Sequence, residues 1–127
     1  MSITIADHMT PAPHTIGLDQ PMSRASALMR EHAIRHLPVL TGGELLGLVS
    51  HRDIALVEGL EGIDPANIRV EEAMTPEPYA VTPETPLVDV VRTMGEKKYG
   101  AAVVMKGREV VGIFTTIDAL RVLADRL

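Results

Sequence analysis

Two short runs set a hydroxyl and a carboxylate three residues apart: Ser50-His51-Arg52-Asp53 and Thr115-Thr116-Ile117-Asp118. Each ends an apolar stretch that begins at a glycine, "GLVS" at 47–50 and "GIFT" at 112–115. A hydroxyl followed by an acid three positions on is the pattern of a helix capping box, in which each side chain satisfies the other's backbone amide. The acid also suits the positive end of the helix dipole. The same arrangement serves a second chemistry. A helix start offers free N–H groups and partial positive charge to a phosphate, and a carboxylate at that mouth can accept from the hydroxyls of a ribose. Ser50 or Thr115 would help to hold the phosphate. Arg52 adds a mobile cation where its counterpart is Ile117. Capping explains the hydroxyl and the carboxylate as well as ligand binding does, so this pattern alone leaves both open.

Other chemistries fare worse. Ser50, His51 and Asp53 are the residue types of a hydrolytic triad, but crowded into one helix start they cannot face one another as nucleophile, base and orienter. With no other nucleophile–base pair, enzymatic activity is not expected. All five histidines (His8, His14, His32, His36 and His51) lie in the first half of the chain. None forms a recognised ligand spacing with a carboxylate, so no metal site is expected. The absence of cysteine excludes disulfides, thiolate metal sites and cysteine nucleophiles.

The elements that must position these groups occur twice. Offset by 65 residues, the chain matches itself without a gap: Met9-Thr10-Pro11 falls on Met74-Thr75-Pro76, Pro21 on Pro86, Met29 on Met94, Gly47 on Gly112 and Asp53 on Asp118. This is an internal repeat with two copies, too few and too long for a solenoid. The spacing predicts β-α-β-β-α for each copy. A short extended segment (His14-Thr15-Ile16; Tyr79-Ala80-Val81) leads to a helix with Pro21 or Pro86 in its first turn. That helix carries an apolar stripe, Leu87, Val90, Val91 and Met94 in copy two and the weaker Met22, Ala25, Ser26 and Met29 in copy one. Two apolar strands around a glycine turn follow, "HLPVLTGGELLGLVS" and "AAVVMKGREVVGIFT". A second helix comes after each, the last with Leu120, Leu123, Ala124 and Leu127 along it. The boundaries read as repeat one at 1–60, a linker at 61–67 and repeat two at 68–127. One copy of about 60 residues buries little surface alone, so the two are expected to share a core. The fold class is α/β (α+β).

The 127 residues carry a net charge of −5 and three aromatics, Phe114, Tyr79 and Tyr99. Acidic balance disfavours a grip on phosphate backbones, and so few rings offer little stacking; nucleic acid is not an expected partner. No stretch reaches the ~20 apolar residues of a membrane span, and "MSITIADHMT" has no secretory pattern. The expected compartment is the cytoplasm, with no membrane contact.

The chain resembles a tandem pair of cystathionine-β-synthase (CBS) domains, the Bateman module. The resemblance runs from about Ile3 to Leu123 and rests on "HMTPAPHTI", "AIRHLPVL" and "GLVSHRDI", then "AMTPEPYAV", "YGAAVVM" and "GIFTTIDAL". Copy two has Ala102-Val103 where copy one and the family have Leu37-Pro38. The resemblance implies two clefts between the repeats that take AMP, ADP, ATP or S-adenosylmethionine as a regulatory ligand, with no catalytic cofactor. It implies one cleft from Thr75, Tyr99, Gly100 and Ala101 with Ser50, Arg52 and Asp53, and a second from Thr10, Ile34, Arg35 and His36 with Thr115 and Asp118. The first, with Arg52, is the better equipped for phosphate. It further implies a homodimer that signals to a downstream protein the sequence does not name. The alternative is a dimerisation or protein-interaction module with unoccupied clefts.

Overall fold

The computed structural model describes residues 3–127. In chain order, β1 (Thr10–Pro11), β2 (Ile16–Gly17), α1 (Met22–His32), β3 (His36–Thr41), β4 (Glu44–Ser50) and α2 (His51–Glu58) are followed by α3 (Val70–Ala73) and β5 (Thr75–Pro76). Then come β6 (Ala80–Val81), α4 (Leu87–Lys97), β7 (Ala101–Lys106), β8 (Glu109–Thr115) and α5 (Thr116–Arg126). Each copy thus keeps the expected β-α-β-β-α order and adds a two-residue strand at its Thr-Pro step.

The chain forms two compact units that cut across the sequence repeats. One, the Asp53 unit, is His14–Pro78; the other, the Asp118 unit, joins the N-terminal segment through Pro13 to Tyr79–Leu127. Each holds a four-stranded sheet, in the order β2-β3-β4-β5 and β1-β8-β7-β6 respectively. The central hairpins form where glycine turns permit them: Gly42 and Gly43 have φ of +54° and +83°, and Gly107 has φ of +62°, backbone that glycine adopts without steric cost.

The lead-in of each repeat therefore belongs to the unit built mainly from the other repeat. β1 pairs antiparallel with β8, Thr10 opposite Ile113, and β5 pairs with β4, Thr75 opposite Leu48. Ile5 N donates to Thr85 O at 2.9 Å in one unit, and Val70 N to Gln20 O at 2.7 Å in the other. Ile5 and Val70 are fully buried. Gly47 and Gly112 make this crossing possible. A Cβ on Gly47 would lie 2.9 Å from Thr75 O, and one on Gly112 would meet the Met9 side chain.

Among the described residues, Ile16, Met22, Ala25, Met29, Leu37, Val39, Val49, Ile54, Val57 and Val70 form one buried cluster, while Ile5, Leu87, Val90, Met94, Ala102, Val104 and Phe114 form another. Each repeat is too small alone, and the remedy is a borrowed segment that closes each core. Two helix details also differ. Pro21 and Pro86 are N-caps, one position ahead of the first turn. Val91 is 43% exposed although Leu87, Val90 and Met94 of its stripe are buried. Leu120 and Leu123 are 59% and 53% exposed, because α5 packs through Ala119 and Val122.

Candidate functional site

Both hydroxyl–carboxylate pairs close as capping boxes. Ser50 N donates to Asp53 Oδ2 at 2.8 Å, the Ser50 hydroxyl donates to the same oxygen at 3.0 Å, and Asp53 N reaches Ser50 Oγ at 3.2 Å. At the other helix start, Thr115 N donates to Asp118 Oδ2 at 2.9 Å and the Thr115 hydroxyl to it at 3.2 Å, while Asp118 N reaches Thr115 Oγ1 at 3.4 Å. One oxygen of each carboxylate is committed to its own helix. The second oxygens differ. Asp118 Oδ1 lies 3.8 Å from Arg121 Nη1, whereas Asp53 makes no ion pair among the described residues. No imidazole stands between Ser50 and Asp53, so the triad geometry is absent there.

Strand alternation sorts the neighbouring residues. Leu37, Val39 and Val49 point into the core of the Asp53 unit, so His36, Pro38, Leu48 and Ser50 lie on the opposite sheet face. Register places His36 opposite Ser50, Pro38 opposite Leu48 and Leu48 opposite Thr75. In the Asp118 unit, Ala102, Val104 and Phe114 point inward. The matching rows on its opposite sheet face are Ala101 with Thr115 and Val103 with Ile113 and Thr10, of which Ala101, Val103 and Ile113 are buried.

The structure thus brings Thr75, Ser50, Arg52 and Asp53 into one unit, and Thr10, Thr115 and Asp118 into the other. Ile34, Arg35 and His36 share the unit of Asp53, and Tyr99, Gly100 and Ala101 share that of Asp118. Two backbone bonds fix these segments against the helix starts: His51 N donates to Arg35 O at 2.8 Å, and Thr116 N to Gly100 O at 3.1 Å. Tight helix exits set their approach, with Ala33 and Lys98 left-handed at φ of 53° and 60°. Tyr99 is exposed and tilted against Tyr79, ring centres 5.2 Å apart.

The charges differ between units. Arg52 is exposed and unpaired among the described residues; Ile117 occupies its place in the other. Burial pushes the His36 imidazole below its ordinary pKa; Asp53 opposes that shift and Arg35 adds to it. That proximity of His36 to Asp53 was not visible in the sequence, although the pairing of "RHLP" with "GLVS" in one hairpin was a signal for it. A cavity of about 410 Å³ lies within the Asp53 unit between α1 and α2, bordered by Met29, Ile34, Arg35, His51 and Ile54. Among the described residues no three His, Asp or Glu side chains gather as a metal site.

The family profile for the CBS domain matches residues 5–58 and 70–125. The chain belongs to the CBS domain family. It is 31% identical over 105 residues to an inosine-5′-monophosphate dehydrogenase of Korarchaeum cryptofilum, matching across 82% of this chain and 21% of that protein. The chain is thus far shorter than that relative. Among solved structures, the CBS domain pair of protein MJ0100 in complex with 5′-methylthioadenosine and S-adenosyl-L-methionine superposes with a TM-score of 0.86 at 25% identity, covering 95% of this chain and 99% of that one. CBSX2 in complex with AMP gives a TM-score of 0.84 at 26% identity, covering 96% and 97%. The chain is a tandem CBS pair with the mixed α and β architecture of those structures.

Proposed function

We propose that this CBS pair is a regulatory module that senses an adenosine compound (AMP, ADP, ATP or S-adenosylmethionine) and catalyses no reaction. The observation that carries the reading is the divided use of Asp53: Oδ2 closes the helix cap, and Oδ1 is left to accept from a ribose hydroxyl beside the free cation of Arg52. Ser50 and Thr75 share that unit and supply hydroxyls. Asp118, Thr115 and Thr10 carry the same groups, with Ile117 in place of the arginine and Arg121 near the second oxygen of Asp118. The backbone-rich segments Ile34–His36 and Tyr99–Ala101 are the adenine-facing candidates. Support comes also from the two CBS pairs above, whose ligands are adenosine compounds. The proposed setting is the cytoplasm, and the output is a shift between two arrangements of the protein that bind the ligand unequally.

A second reading is favoured by a specific observation: Val91, Leu120 and Leu123 are exposed on α4 and α5. A homodimer would cover this face, and a pure dimerisation module would need nothing from the carboxylates beyond their caps. Thermal unfolding with saturating AMP, ADP, ATP or S-adenosylmethionine separates the two. A ligand at 100 times its Kd adds about 2.7 kcal/mol, a rise of several degrees in a domain of this size. No rise with any of them leaves the dimerisation module alone.

A further inference from the structure

The two helix starts share a backbone but not a titratable neighbour. His36 opens β3 directly opposite Ser50, on the sheet face turned from the core. Its counterpart Ala101, opposite Thr115, carries no ionisable group. His36 is half-buried, and Asp53 and Arg35 are the charges that act on its ring. Of the elements packed around β3, β2 brings only Ile16 and Gly17. The last turn of α1 brings Arg30, Glu31 and His32, and α2 opens with His51 and Arg52 ahead of Asp53.

We propose that protonation of His36 gates ligand binding at the Asp53 helix start. With the ring neutral, Asp53 Oδ1 is free for a ribose hydroxyl; with the ring protonated, the imidazolium pairs with Asp53 and withdraws that acceptor. Burial favours the neutral ring and outweighs the carboxylate, which favours the charged one, so the ring titrates below its ordinary range. The Asp118 helix start has no such gate, because Ala101 cannot be protonated. Duplication has therefore produced one pH-dependent and one pH-indifferent half from the same scaffold. The inference rests on the adenosine reading of Asp53.

The test uses 5′-methylthioadenosine, which has no phosphate to attract an imidazolium, titrated calorimetrically from pH 8 to one pH unit below the His36 midpoint measured by NMR. The affinity of the wild-type protein should fall, approaching about tenfold per pH unit below the ring's pKa, since each ligand bound must then displace one proton. His36→Gln should bind with a pH-independent affinity, whatever its value. Binding at pH 8 that persists unchanged through the His36 midpoint in the wild type overturns the gate and leaves the adenosine reading intact. Failure of every adenosine compound at pH 8 removes that reading, and the gate with it. A ligand-free arm decides the coupling in all cases: the His36 ring, followed by NMR, should titrate at lower pH in Asp53→Asn than in the wild type. An unchanged titration contradicts the proposal.

Discussion

The Asp53 and Asp118 helix starts carry the same capping box on the same sheet corner, yet their surroundings diverge. Asp118 is 8% exposed, and its second oxygen faces Arg121. Asp53 is more open, with Arg52 beside it and His36 across the hairpin. The capping role needs only the hydroxyl, the acid and the strand that delivers them, and both copies retain all three. What a ligand would feel lies outside that minimum, and there the copies differ in charge, exposure and titration. Duplication preserved the part that folds and left the chemistry free to drift.

The sharpest way to break this comparison is through the cores. Phe114 fills the core of the Asp118 unit, and the matching residue of the Asp53 unit is Val49. Phe114→Ala should cost about 3–5 kcal/mol. Val49→Ala removes fewer buried atoms and should cost less, with denaturant titration as the measure. Equal losses would show that the Phe114 ring is not the larger buried anchor. A smaller effect sharpens the comparison of caps. Ser50→Ala and Thr115→Ala each remove an N-cap hydroxyl and should each cost about 1 kcal/mol. A near-zero cost at either would mean that its box is not closed in solution.

Much of this was legible before the structure. The hairpins announced themselves through Gly42-Gly43 and Gly107 between apolar runs, because few other residues adopt those turns. Both boxes were legible from spacing alone. The exchange of lead-in segments was not legible from the residues alone; the family resemblance implied it by setting Thr75 with Asp53 and Thr10 with Asp118. Thr10-Pro11 and Thr75-Pro76 are strands of two residues, too short for any periodicity to register. Their partners lie in the other repeat, where a self-alignment at fixed offset has no reason to look. The glycines at 47 and 112 held the missing clue, since each leaves room for a methionine lead-in. One helix stripe misled. On α4 the stripe counted Val91 with Leu87, Val90 and Met94, but a helix shows its core only one face, and the sequence does not say how wide that face is. The proximity of His36 to Asp53 stayed hidden because it depends on hairpin register and on where α2 begins.

The central claim is that Asp53 does more than cap its helix. Calorimetric titration of AMP into the wild-type protein, Asp53→Ala and Asp118→Ala tests it most directly. A charge-assisted hydrogen bond is worth about 1.5–3 kcal/mol. Asp53→Ala should therefore weaken the tighter AMP site by at least about tenfold, while Asp118→Ala leaves that site unchanged. If AMP binds all three proteins with one affinity, both carboxylates are caps only, and the ligand is held elsewhere.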